Sequence, residues 1–185
     1  PDIVIHRVRE MPNGWSARYD AMEREYRYSF YNADVPNVFL KPYTYWEKLP
    51  LDAQAMQEGA AFLVGRHDFS AFRHLHCDAD NPVRTLLELS VLEDKPLIHL
   101  KVRGHAFLRN QVRIMAGALR KVGLGWKPPE AIREGLESRV RDSTNETLDA
   151  HGLTLVAVRY KEDDEEDRKY RALTRFYYEK FMEMG

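Results

Sequence analysis

Apolar and polar residues alternate in short runs over much of this chain and recur at helical spacing over the rest, which predicts a mixed succession of strands and helices. Ile3 to Val8 alternates, is rich in β-branched residues and reads as a strand. Arg24 to Tyr31 alternates charged with aromatic residues, a second strand with one aromatic face. Pro36, Pro42 and Pro50 predict a loop after it. Asp52 caps a helix that runs to about Val64 and stops at Gly65. Leu86 to Leu92 and Leu97 to Arg103 flank a turn at Glu93-Asp94-Lys95-Pro96 and predict a hairpin. Phe107 to Val122 is the most strongly periodic helix, ended by Gly123 and Gly125, and Pro128-Pro129 opens a short helix to about Leu136. Leu153 to Tyr160 predicts a last strand. Beyond it, Arg168 to Met184 sets Tyr170, Leu173, Tyr177, Phe181 and Met184 at helical spacing. This order predicts an α+β fold, a sheet with helices packed on one face.

The helix at 107–122 carries two distinct faces. At about 100° per residue, Leu108, Val112, Met115, Leu119 and Val122 share a narrow apolar face that belongs in the core. Arg109, Arg113, Ala116 and Arg120 share another, with Gly117 beside it and open to close approach of a second backbone. Three stacked guanidiniums repel one another unless anions lie over them, either carboxylates from elsewhere in the chain or phosphates. Spacing alone leaves both open, as it does a plain solvated ridge.

Charge changes the picture only when it is located. The 185 residues carry 28 Lys and Arg against 29 Asp and Glu, a formal net charge of -1 that by itself argues against a nucleic-acid partner. Residues 101–141, however, hold 10 basic and only three acidic side chains, whereas 162–167 is an unbroken acidic run, Glu-Asp-Asp-Glu-Glu-Asp. A basic centre offset by acid elsewhere can hide a footprint for a polyanion.

The single cysteine, Cys77, excludes an internal disulfide and fits a reducing compartment. No apolar run reaches membrane-spanning length, and the first residues lack the layout of a signal peptide. Candidate chemistry is sparse. His74, His76 and Cys77, with His67 nearby, lack the repeating four-ligand spacing of zinc, so no metal site is predicted. Ser70, His67 and Asp68 lack the context of a catalytic triad, and no phosphate-cradling glycine loop occurs. Tyr26 and Tyr28 share a strand face, as sheet packing or as a base-stacking platform.

Five stretches in one order, from Trp15 to Val156, carry a resemblance. They are Trp15-Ser16-Ala17-Arg18-Tyr19 with Arg24-Glu25-Tyr26-Arg27-Tyr28; Gly65-Arg66-His67-Asp68-Phe69-Ser70-Ala71-Phe72; Asn81-Pro82-Val83-Arg84-Thr85; Gly104-His105-Ala106-Phe107-Leu108 with Gln111-Val112-Arg113 and Gly117; and His151-Gly152-Leu153-Thr154-Leu155-Val156. Together they resemble the TruA-type tRNA pseudouridine synthases, and residues 1–160 look like the C-terminal half of that catalytic fold. The resemblance implies a mixed, mainly antiparallel sheet with helices packed on it, incomplete on its N-terminal side, followed at 161–185 by an acidic linker and an amphipathic helix. It implies isomerisation of uridine to pseudouridine in the anticodon stem-loop of tRNA, without metal or organic cofactor, in the cytoplasm or alternatively the mitochondrial matrix.

In that family an aspartate attacks the flipped-out nucleotide, so that the base is detached, rotated and rejoined through carbon. By resemblance, Tyr26 lies against the base, Arg113 pairs with the catalytic carboxylate and Leu153 packs on the uracil ring. Arg84, Arg103, Arg109 and Arg120 are then expected to meet RNA phosphates. The family's aspartate sits in a G-R-T-D-x-G-V motif upstream of every matched stretch, and that motif does not occur in these 185 residues. The chain alone is therefore expected not to catalyse, with a homodimer or a chain supplying the first half as partner. A non-catalytic RNA-binding or assembly module that keeps the fold is the alternative.

Overall fold

The computed structural model describes residues 3–141 and 146–183. Strand β1, Ala21–Asn32, is the member on which the sheet is built, because it pairs along both edges. On one side it meets β5, Leu97–Gly104, antiparallel from Arg24 to Tyr31. On the other it meets β6, Leu153–Tyr160, antiparallel from Ala21 to Tyr28, and then the short β2, Tyr45–Glu47, parallel from Phe30 to Asn32. Beyond β5 lie β4, Val83–Asp94, and β3, Gly65–Asp68, both antiparallel. The hairpin read from the sequence is β4–β5, and the mainly antiparallel α+β fold is as expected.

Alternation sorts β1 onto two faces. Tyr26, Tyr28 and Phe30 face the core with Leu100 and Val102 of β5. Helix α1, Ala53–Ala61, and helix α2, Gln111–Gly123, cover that face with Met56, Met115, Leu119 and Val122. The apolar stripe predicted for α2 is buried along its whole length. Asp52 accepts from the Ala55 amide at 2.9 Å and so starts α1 as its sequence predicts. Helix α3, Glu130–Ser138, adds Ile132 and Leu136. The opposite face carries Glu23, Glu25, Arg27 and Ser29 with His99, Lys101 and Arg103. Helix α4, Glu165–Glu183, lies on this polar face, where Arg175 reaches the buried Glu25 carboxylate at 2.5 Å.

Four expectations are corrected. Ile3 to Val8 forms no strand, and Ile3 and Val8 are 80% and 86% exposed. Polar contacts hold this segment instead: Arg7 binds Asp164 at 2.9 Å, Arg9 binds Asp167 at 3.2 Å, and the His6 ring stacks on Tyr170. Helix α1 ends at Ala61, and Gly65, at φ 109°, does more than stop a helix: it opens the strand β3. Helix α2 begins at Gln111, because Asn110 takes a left-handed φ of 60° and the Gln111 side chain accepts from the Leu108 amide. Short β2 lies inside the proline loop. Of the residues placed on the terminal helix face, the side chains of Tyr177 and Phe181, and Met184 as a whole, lie outside the described residues.

One buried pair on the polar face ties stability to pH. His99 Nδ1 lies 2.9 Å from Ser29 Oγ, and burial, with the nearby Arg27 charge adding to it, pushes His99 down to about 4. The unfolded chain takes up this proton near pH 6.5 and the folded chain only near 4, so the unfolded state holds more protons between those values. Stability must then fall as pH drops through that window, by about 3 kcal/mol from this group. Urea unfolding at pH 7 and pH 4.5 is expected to show that loss, and His99→Gln to remove most of it. An unchanged pH dependence in the variant would overturn the assignment.

Candidate active site around Arg113

Tyr28 is fully buried, and a buried phenol needs an acceptor. It finds one in the Asp149 carbonyl at 2.9 Å. One residue earlier, the Leu148 carbonyl accepts from Arg113 Nε at 2.5 Å, while Arg113 Nη1 points to Asn110 Oδ1 at 3.4 Å. Two glycines let the segment lie this close. A Cβ on Gly117 would stand 2.5 Å from the Glu146 carbonyl oxygen, and one on Gly152 would stand 2.8 Å from the Tyr28 ring. Residues 146–152 thus form a strap fastened to α2 on one side and to β1 on the other.

The strap leads directly into β6 and sets Leu153 opposite Tyr28 in the sheet, with Tyr26 next on the same face of β1. Both Leu153 and Tyr26 are half-buried against the main core. The Tyr26 ring meets Phe107 edge-on at 5.1 Å between centroids. Gly104 makes room for that ring, since a Cβ there would stand 3.1 Å from Phe107 Cζ. Burial raises the Tyr26 phenol above its ordinary value, against the pull of Arg24, so it remains a neutral hydroxyl. Among the described residues that hydroxyl makes no hydrogen bond, and Arg113 has no carboxylate partner. Tyr26 and Leu153 thus share the sheet face that α2 covers, and Arg113 stands on α2 itself.

The arginines expected to meet phosphates divide by what holds them. Arg109 precedes α2 instead of lying on it, and its Nη1 donates to the His76 carbonyl at 3.2 Å. Arg84 donates to the carbonyls of Asn81 and Val83 at 2.8 and 2.7 Å. Main-chain oxygens orient these two without cancelling their charge. Arg103 and Arg120 are different. Arg103 is paired with Glu23 at 3.1 Å and Glu88 at 3.4 Å. Arg120 binds Glu47, reaches Glu146 at 2.9 Å, and lies over the rings of Tyr45 and Trp126. The three-arginine ridge is shortened, because Arg109 is off the helix, and at Arg120 the anions are carboxylates from elsewhere in the chain.

Sequence reasoning missed the basic groups around His74. Arg73 donates to the Ala79 carbonyl at 3.2 Å, and Arg141 donates to the Arg73 carbonyl at 2.6 Å. His74 is held down by partial burial first and then by Arg109, His76, Arg141 and Arg113, a measure of how much positive charge gathers here. Proximity of Arg73 and His74 to the Gly65–Phe72 stretch is the one sequence signal that could have found them. Among the described residues no group of three or more His, Cys, Asp or Glu side chains could hold a metal ion.

A family model described as tRNA pseudouridine synthase matches residues 60–161, which span β4, β5, α2, the strap and β6. The chain belongs to the tRNA pseudouridine synthase family. Among its relatives, the tRNA pseudouridine synthase A of Pseudomonas aeruginosa is 41% identical over 169 residues, covering 91% of this chain and 59% of its own. That of Alcanivorax borkumensis is 39% identical over 161 residues, 87% of this chain and 60% of its own. That of Burkholderia mallei is 41% identical over 160 residues, 86% and 59%. The chain spans 59–60% of the length of these curated relatives. In this family member, no helix among the described residues is long and apolar enough to cross a membrane.

The strap can be tested through Gly117. A methyl group there meets backbone, which cannot swing aside as a flexible side chain would. Gly117→Ala is expected to cost about 1–3 kcal/mol in chemical denaturation, with Gly125→Ala, whose left-handed φ leaves open space around it, testing strain without a clash. A Gly117→Ala protein as stable as the parent would overturn the close approach.

Proposed function

We propose that this chain supplies the tyrosine- and arginine-bearing wall of a tRNA pseudouridine synthase site that converts uridine to pseudouridine in the anticodon stem-loop. The observation that carries this reading is Arg113: a guanidinium aimed by a main-chain carbonyl, without a carboxylate partner among the described residues, on the helix that covers the sheet face of the half-buried Tyr26 and Leu153. A nucleophilic carboxylate is the group that completes it, since a desolvated arginine binds one in a fixed orientation. The G-R-T-D-x-G-V motif is not among these 185 residues, so in this reading the aspartate comes from outside them.

In the proposed reaction the carboxylate attacks the anomeric carbon of the ribose as the bond from that carbon to N1 of uracil breaks, and the base, leaving with the electron pair of that bond, turns over. C5 then attacks the same carbon and displaces the carboxylate, which is regenerated, C5 gives up its proton to solvent, and N1 gains one. Leu153 offers an apolar surface for the ring. Tyr26, kept protonated by burial, is placed against the base to handle a proton. No redox step occurs and no cofactor is required. Arg73, Arg84 and Arg109, held by carbonyls, serve as phosphate contacts; Arg103 and Arg120 are left as internal ion pairs. The protein works where tRNA is found, in the cytoplasm or the mitochondrial matrix, as a homodimer or with a chain that brings the aspartate.

Release of tritium from tRNA labelled at C5 of uridine tests this reading. Joined to the aspartate-bearing half, the chain is expected to release tritium, and Arg113→Ala or Tyr26→Phe to slow release by at least about 100-fold while tRNA binding is kept. Full turnover in Arg113→Ala would overturn its role. RNA binding with no tritium release in the joined protein would favour the non-catalytic module. Arg109→Ala is expected to lower the slope of log K against log salt by about 1, and Arg103→Ala to leave that slope unchanged.

A further inference from the structure

On the polar side of the sheet, α4 stands off β6 and the start of β1 and leaves a cavity of about 550 Å³. Five cations line it: Arg159, Lys161, Arg168, Arg171 and Arg175. Three are paired. Arg159 meets Glu23 at 3.2 Å, Arg171 meets Asp163 at 2.9 Å, and Arg175 meets Glu25 at 2.5 Å. Lys161 and Arg168 have no carboxylate partner among the described residues, and Arg168 reaches only the Asp163 carbonyl, at 3.4 Å.

Of the adjacent acidic run only Asp163 lines the cavity, and the carboxylates of Glu162 and Glu165 are not part of its wall. Asp164 and Asp167 are engaged by Arg7 and Arg9, and Glu166 by Arg7. The Arg7 guanidinium in turn holds Asp164 below the usual carboxylate range, after the Asp167 amide that bonds it first. Two unpaired cations within a concave wall concentrate positive potential and attract an anion.

The lining also indicates which kind of anion. Met22, Ala157 and Ala172 make a small apolar floor, and among the described residues no amide or aliphatic hydroxyl side chain lines the cavity to read a base edge. Among the described residues the one aromatic ring in the lining, Tyr160, has its hydroxyl committed to the Ala17 carbonyl at 2.9 Å. Such a wall recognises charge without sequence, which is how proteins hold the phosphodiester backbone. We propose that the groove beneath α4 is a second RNA-backbone contact, on the sheet face opposite Tyr26. It rests on the reading that tRNA is the substrate. Because the sheet stands between the two faces, this groove meets a part of the tRNA other than the stem-loop held at Tyr26.

The test compares full-length tRNA with an isolated anticodon stem-loop, using the whole chain and a Lys161→Gln, Arg168→Gln double variant. Full-length tRNA is expected to bind the variant about tenfold more weakly, with the salt slope reduced by about 2, while the stem-loop binds both proteins equally. Lys161→Arg with Arg168→Lys is expected to restore the parent affinity, which separates charge from fold. Equal tRNA affinity in parent and double variant would overturn the inference and leave the function at Arg113 untouched, as would an equal loss for tRNA and stem-loop. Failure of the parent chain to bind either RNA would overturn the substrate reading itself, and this inference with it.

Discussion

A hydroxyl cannot be buried without an acceptor, and the Tyr28 phenol, with no exposed surface at all, imposes that demand at the centre of the sheet. Left unpaired, it would cost about 1–3 kcal/mol. Its acceptor is a carbonyl more than a hundred residues away, so the segment at 146–152 is drawn onto β1. Everything at the candidate site follows from that placement. The carbonyl next to the acceptor aims Arg113, the close pass over Gly117 fixes the height of the segment on α2, and the residue after Gly152 becomes the first of β6. Leu153 and Arg113 are thus positioned by one folding event, although 40 residues separate them in the chain.

The near-zero net charge conceals two populations of arginine. One is anchored by main-chain oxygens: Arg73, Arg84, Arg109 and Arg113. A carbonyl directs a guanidinium while leaving its formal charge available. The other population is neutralised by carboxylates. For Arg103, the Glu23 hydrogen bond leads in raising it further above its ordinary value. For Arg120, burial pulls the other way and is outweighed only by Glu47 together with Tyr45 and Glu146. The same residue type therefore serves as bait for anions in one place and as an internal strut in another, and the distinction lies in its partner.

That distinction marks the limit of what the sequence reveals. β1, the β4–β5 hairpin, β6 and the apolar face of α2 were legible because their periodicity and their burial coincide. Tyr26, Arg113 and Leu153 were reached through motif resemblance, and the structure sets them on one side of the sheet. The partner of Arg120 is Glu47, 73 residues distant in a proline-rich loop, and no local pattern announces it. The strap has neither helical nor strand period. Ile3 to Val8 has the period of a strand but spends its polar groups on the first turn of α4, where the acidic run offers ionic partners that a sheet edge does not.

The position of β6 has one more consequence. Among the described residues its only strand partner is β1, so its outer edge is not closed by another ladder. Leu155 on that strand is 52% exposed, on the same face as Tyr26. An uncovered edge of this kind is a template for β-augmentation: a polypeptide docking there in extended form would lengthen the sheet by one strand and satisfy its main-chain groups. In isolation the same edge favours self-pairing, so the colloidal behaviour of the chain is coupled to whether that border is occupied.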